Sequence, residues 1–307
     1  MSPPAPPSHL SQGAREYLLQ PDMISYPDDW TDPWSVQDFR DRAHPLWCGV
    51  NERLDFDYRV EAEQIAGVVV ERIRVGKPPA GRALLHFHGG MYCSGTPEID
   101  RVMNAPIARD LGVEVISVDY RLAPEYPFPG AVDDALAVYR ALVDDGVALA
   151  VYGESAGGGL AAACVVAARA EGIVAPVALV LMSPMLDLTG GSDTYRTLQP
   201  VDPDYHEPSV LLEPGAAYAG STALDHPLVS PLFADLTGLP PMLVQAGGRE
   251  VLLGDSVRFA RRARAAGVDV TLEVLDGGWH NWPLWYGLPE ADDAIASVVT
   301  HLRDSFS

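Results

Sequence analysis

From about residue 55 onward, two kinds of hydrophobic pattern alternate along the chain. Short runs such as "RALLHF", "VEVISV", "LAVYG", "VALVLM", "PPMLVQAG" and "VDVTLEVL" are apolar, mostly on both faces, and rich in β-branched residues. Such runs read as strands buried on both sides. Between them lie longer segments with helical spacing: "AVDDALAVYRALVDDG", "AGGGLAAACVVAARAEG", "GDSVRFARRARAAG" and "EADDAIASVVTHLRDSF", of which the first three end on glycine. Ahead of them, "FDYRVEAEQIAGVVVERIRV" carries β-branched runs broken near Ala66–Gly67, the mark of two strands joined by a turn. Strand and helix in alternation predict an α/β fold, a mostly parallel sheet covered by helices on both faces.

The rhythm fails in two places. Residues 1–45 are rich in proline and tryptophan, with weak helical patterning in "SVQDFRDRAHPLW"; residues 190–225 are acidic and proline-rich. These blocks are expected to form a cap, the first its N-terminal part and the second an insertion. The core is then divided into residues 46–189 and 226–307. The opening "SPPAPP" is expected to be disordered at its start.

One stretch carries the chemistry. In "AVYGESAGGGL" a lone hydroxyl, Ser155, sits inside Gly153-Glu154-Ser155-Ala156-Gly157, between a predicted strand and a predicted helix. Glycines there permit a turn sharp enough to expose the serine, and the helix N-terminus favours negative charge beside it. A nucleophilic serine needs a base and an oxyanion site. Backbone amides of the glycine turn in "HFHGGMYCSG" suit the second need; His88 there is expected to stabilise the turn and His86 to pack on the sheet. His280, in "LDGGWHNWPLW" after the last predicted strand, is the expected base, because ligands bind at the carboxyl edge of such sheets. Three acids compete to orient it. Glu250 follows "MLVQAG" directly and is preferred, Asp255 reads as an N-cap of the next helix, and Asp276 as a residue shaping the histidine's own loop.

These blocks, with "VDYRLAPEYPFPGAVDDALAVYRAL", resemble the bacterial hormone-sensitive-lipase-like esterases of the α/β-hydrolase fold over roughly residues 80 to 300. The resemblance implies an α/β-hydrolase core, a central mostly parallel sheet of the eight-stranded type flanked by helices, with a helical cap. It implies Ser155 as nucleophile, His280 as base and Glu250 as acid, with oxyanion amides from Gly89, Gly90, Met91 and Ala156. It implies no cofactor and no metal, a small-molecule ester or lactone as partner, and admits a homodimer. Met91 stands where the family usually has a third glycine; if left-handed, a side chain there costs about 1–2 kcal/mol. It could also narrow the pocket. "DYRLAPEYPFPG" reads as structural, with Arg121 and Glu125 pinning the crossover and Asp133 and Asp134 opening the next helix. Glu154 reads as part of the turn's own hydrogen bonding.

Composition trims the alternatives. A formal net charge of −21 argues against nucleic acid and anionic membranes. Three scattered cysteines suit a reducing compartment, and no secretory leader or apolar run of spanning length is visible, so a cytoplasmic location is expected. The six tryptophans fall before the core and around His280. They suggest an aromatic-lined pocket, with Trp34, Tyr92, Trp279 and Trp282 as the expected substrate contacts; gluing the cap to the core is the other account. The expected activity is hydrolysis of small to medium apolar esters or lactones through an acyl-enzyme. Two alternatives stay open: a cyclase or lyase using the same serine and histidine without net hydrolysis, and a non-catalytic ligand receptor.

Overall fold

The computed structural model describes residues 5–20, 24–205 and 209–307. The disordered start expected of the proline-rich opening falls on residues 1–4, outside the described residues. Among the described residues, an eight-stranded sheet runs in the order β1-β2-β4-β3-β5-β6-β7-β8. Its strands are β1 (Arg59–Ile65), β2 (Val68–Arg74), β3 (Arg82–Phe87), β4 (Glu114–Val118), β5 (Ala148–Glu154), β6 (Leu179–Met182), β7 (Met242–Gly247) and β8 (Val270–Leu275). β2 pairs antiparallel with β1 and β4; every later pairing is parallel.

The apolar runs lie where two-sided burial is needed. β6 and β7 are buried along their whole length, whereas β1, at the edge, is exposed and charged. Around it Arg72 bridges Glu63 and Glu114, and Arg74 bridges Glu61 and Glu114. Charge on an edge strand discourages pairing with another chain. The β1–β2 hairpin turns at Ala66 and Gly67, both at positive φ (52° and 85°), where the sequence breaks its β-branched runs.

Helices cover both faces. Leu85 and Phe87 of β3 point into a core shared with α4 (Gly130–Asp144), α5 (Ala156–Ala170) and α8 (Leu253–Ala265). Leu84 points the other way, against α3 (Arg101–Leu111) and α9 (Pro289–Ser305). Helix α3 is absent from the sequence reading, because Pro106 and the buried polar Asn104 interrupt its apolar spacing. Its one legible sign is Gly112, left-handed at φ 71° just past the helix end.

The irregular blocks hold short helices: α1 (Gln12–Tyr17) and α2 (Pro33–Cys48) in the first, α6 (Thr194–Thr197) and α7 (Ser209–Ala219) in the second. α2 starts where Asp32 accepts the amides of Trp34 and Ser35. Arg40 of α2 donates to both oxygens of Glu125 at 2.8 Å and to the carbonyls of Ala123 and Cys93. It therefore fastens the N-terminal block to the proline-rich crossover. Asp134 accepts from the Arg121 amide and guanidinium rather than opening the helix; the acid in the first turn of α4 is Asp133. Asp255 departs from expectation. It lies inside the first turn of α8, which has no side-chain cap, and its Oδ2 accepts the amides of Leu186 (3.1 Å) and Asp187 (3.0 Å), holding the loop after β6.

Candidate active site

Ser155, Glu250 and His280 stand at the carboxyl ends of β5, β7 and β8. The turn carrying Ser155 is tight enough to need its glycines: a Cβ on Gly153 would overlap the Gly157 carbonyl, and one on Gly157 the Phe87 carbonyl. Ser155 itself is held at φ 54°, ψ −122°, a region a side chain rarely occupies, of order 1–3 kcal/mol above relaxed backbone. The strain aims the hydroxyl out of the sheet and over the N-terminus of α5.

The three side chains form one hydrogen-bonded run. His280 Nε2 lies 3.0 Å from Ser155 Oγ, and His280 Nδ1 lies 2.8 Å from Glu250 Oε2. A carboxylate only accepts, so Nδ1 carries the ring proton and Nε2 is left to accept from the serine. Glu250 is fixed by the Gly247 amide, which donates to Oε1 at 2.8 Å. The histidine's loop is fixed by the Asn281 amide, donating to Ser183 Oγ at 3.1 Å, and Tyr205 meets the imidazole edge-on at 4.9 Å. Burial pulls the His280 pKa down, but the hydrogen bond and charge of Glu250, with the charges of Asp204 and Asp202, outweigh it and leave the pKa raised. A hydroxyl bonded to an imidazole whose far nitrogen meets a carboxylate can pass its proton to the ring as it attacks a carbonyl. Asp276, the third candidate acid, is exposed beside His9.

The neighbouring turn after β3 supplies amides. Gly90 (φ 115°) and Met91 (φ 60°) are both left-handed, and the Met91 side chain is buried against the pocket wall. Gly89 leaves the expected set, because its amide donates to Glu154 Oε1. The turn is braced by Ser94, whose amide and hydroxyl both donate to the Gly90 carbonyl at 2.8 Å. His88 keeps the structural part expected of it: its ring stacks on Tyr120 and its Nδ1 lies 2.8 Å from the Gly89 carbonyl. Ala156, buried at the first position of α5, presents a helix N-terminal amide next to Ser155.

Ser155 and His280 open on a cavity of about 290 Å³ whose apolar wall includes Leu46, Trp47, Val50, Ile99, Leu284 and Trp285. The expected contacts Trp34, Tyr92, Trp279 and Trp282 do not line it. Trp34 is 84% exposed on α2; Trp279 and Trp282 are buried in a separate cluster with Leu10 and Ala14; Tyr92 is buried in a stack with Tyr218 at 3.8 Å. Aromatic residues do line the pocket, but at neighbouring positions, since helical spacing puts Trp34 and Trp47 on different faces of α2. Two contributions to the site are missing from the sequence reading. Asp202, in the second irregular block, accepts the amides of Val251 (2.7 Å), Asp204 and Tyr205, tying that block to the Glu250 loop. Its only sequence sign is the turn-forming "DPDY". The other is a buried cluster of His86, Asp100 and Glu154 behind the serine.

His44 and Cys48 of α2 and Glu98, ahead of α3, come together half-buried, with His44 Nε2 3.6 Å from Glu98 Oε2. Arg101 holds the other Glu98 oxygen at 3.0 Å.

Sheet order, serine turn and late histidine are those of an α/β-hydrolase. Residues 84–284 match a family described as the alpha/beta hydrolase fold. An acetyl-hydrolase of Streptomyces hygroscopicus is 40% identical over 230 residues, covering 73% of this chain and 76% of its own. An esterase of Acinetobacter venetianus is 37% identical over 249 residues, covering 77% and 79%. The crystal structure of an esterase from the bacterial hormone-sensitive lipase family superposes with a TM-score of 0.85 at 37% identity over 96% of both chains. The chain belongs to the hormone-sensitive-lipase-like esterase family and is a carboxylic ester hydrolase. Among the described residues no helix is long and apolar enough to cross a membrane.

Proposed function

We propose that the chain hydrolyses small to medium apolar esters or lactones through an acyl-enzyme on Ser155. The observation that carries this is the hydrogen-bonded run from Ser155 through His280 to Glu250, opening on an apolar-walled cavity. Ser155 Oγ attacks the carbonyl carbon while its proton moves to His280 Nε2, and Glu250 stabilises the imidazolium. The amides of Gly90, Met91 and Ala156 receive the oxyanion. His280 then protonates the leaving alcohol, and a water activated by the same imidazole releases the acid.

The small cavity favours short acyl groups, in keeping with relatives named acetyl-hydrolase and, in Pseudomonas putida, ethyl acetate hydrolase. Met91 is compatible with hydrolysis, since replacing a glycine keeps the backbone amide. Residues 1–45 and 190–225 act as the cap: Tyr17 and Tyr26 in the first block and Tyr205 in the second line the same cavity. Three unpaired cysteines support a reducing compartment. Replacing Ser155→Ala is expected to lower kcat on p-nitrophenyl acetate by about 10⁴-fold or more without changing the fold. Undiminished turnover would exclude the mechanism.

A further inference from the structure

Glu154 stands between Ser155 and a second polar cluster that the proposed reaction does not use. Its carboxylate is 1% exposed. Oε1 accepts the Gly89 amide, and Oε2 lies 3.0 Å from His86 Nε2. The proton positions follow from the partners. Tyr152 OH donates to Asn104 Oδ1 at 2.5 Å, which turns the Asn104 amine towards His86 Nδ1 at 3.1 Å; Ser117 Oγ lies 2.8 Å from the same nitrogen. With Nδ1 accepting, Nε2 carries the hydrogen and donates to Glu154. His86 is therefore neutral, and burial holds its pKa down at about 4.

Asp100, 2% exposed at the start of α3, faces the same carboxylate, with oxygens of the two acids and a ring nitrogen of His86 all within 4.8 Å of one another. Its Oδ2 is buried with no hydrogen-bond partner and lies 3.7 Å from His86 Nε2. Two buried carboxylates this close, beside a neutral histidine at the floor of the cavity, favour keeping a proton between them. Burial raises both, Glu154 to about 8.

We propose that Glu154 is a positioning residue for the oxyanion turn: it pins Gly89, while a proton shared with Asp100 keeps the carboxyl pair seated. The proposal rests on Ser155 being the nucleophile. Gly89 immediately precedes the Gly90 and Met91 amides, so a shift of Gly89 moves both donors. Loss of the shared proton in alkali leaves two bare carboxylates in contact, and the turn loses its anchor. The titratable groups facing the pair are His86 from β3, Tyr152 from β5 and Tyr120 from the loop after β4. Burial raises both tyrosines well above their ordinary range, which leaves the pair as the group that titrates in mild alkali.

The test measures kcat and KM for p-nitrophenyl acetate across pH in the full chain, with fluorophosphonate labelling of Ser155 run alongside. Glu154→Ala is expected to lower kcat by about a hundredfold with KM changed no more than about threefold, because oxyanion contacts act in the transition state. Glu154→Gln keeps an acceptor for Gly89 and is expected to recover at least about tenfold of that loss. Asp100→Asn donates at every pH, so the alkaline decline of kcat expected of the unaltered chain should vanish or move up by at least about one pH unit. A loss confined to KM, a Gln variant no better than Ala, or an Asp100→Asn profile overlying the original would each overturn the proposal. If Glu154→Ala fails to fold, the Gln and Asn variants decide. Labelling of Ser155 in every variant separates failure here from failure of the nucleophile assignment.

Discussion

His280 with Glu250, and His86 with Glu154, are two buried imidazole–carboxylate pairs at one edge of one sheet, with N···O separations of 2.8 and 3.0 Å. Aspartates add their charge to each, Asp204 and Asp202 at the first pair and Asp100 at the second. Their imidazoles are nevertheless driven in opposite directions. At His280 the glutamate and two aspartates outweigh burial and raise the pKa; at His86 burial prevails and lowers it to about 4. The second ring nitrogen explains the rest. In His280 it meets a single hydroxyl beside an open cavity, whereas in His86 Ser117 and Asn104 saturate it. The same residue types thus make a poised base in one place and a fixed neutral clamp in the other. The carboxylate's pull and the far-side partner separate them: Glu250 is the largest raising influence on His280, whereas at His86 the raising charge is that of Asp100 and burial prevails.

The contrast breaks most sharply under one substitution made twice. His280→Gln is expected to lower kcat by about 10⁴-fold or more. His86→Gln is expected to leave most of the turnover while lowering stability by about 1–3 kcal/mol, through lost buried hydrogen bonds. Comparable losses of kcat at both positions would erase the distinction. Steady-state kinetics paired with urea unfolding reads both quantities.

A second consequence concerns pH. Catalysis needs His280 neutral, and its pKa is raised, so kcat/KM should fall as the medium is acidified, with a midpoint above the ordinary value of about 6.5. Glu250→Gln removes the main raising influence and should move that midpoint downward as residual activity permits. An acid midpoint at or below the ordinary histidine range would contradict the electrostatics described.

The smallest effects compare two tryptophans near the ends of one helix. Trp47 lines the cavity, and Trp47→Ala is expected to raise KM for apolar esters by about three- to tenfold. Trp34 is 84% exposed, and Trp34→Ala should leave stability within about 0.5 kcal/mol and kinetics unaltered. Equal responses would mean that the cavity wall has been misplaced.

That last pair also marks where sequence stops specifying structure. The strands β3 to β7 are visible because two-sided burial demands apolar runs, and Gly153 and Gly157 are visible because the turn admits no Cβ. Ser155, His280 and Glu250 follow from chain order along such a sheet. The cap is different. Its helices lack the strand–helix rhythm that marks the core, and composition cannot say which side of α2 a tryptophan occupies. Gly89 illustrates a finer limit, since a glycine turn advertises several amides but not which one Glu154 already holds. Asp100 was invisible because the helix it precedes is masked by Pro106 and Asn104.

Fluorophosphonate labelling followed by intact mass and peptide mapping tests the central claim most directly. One adduct per chain on Ser155, with ester hydrolysis lost in proportion to labelling, is the predicted result. Full hydrolysis surviving complete labelling, or an adduct on a different residue accounting for the loss, would contradict it.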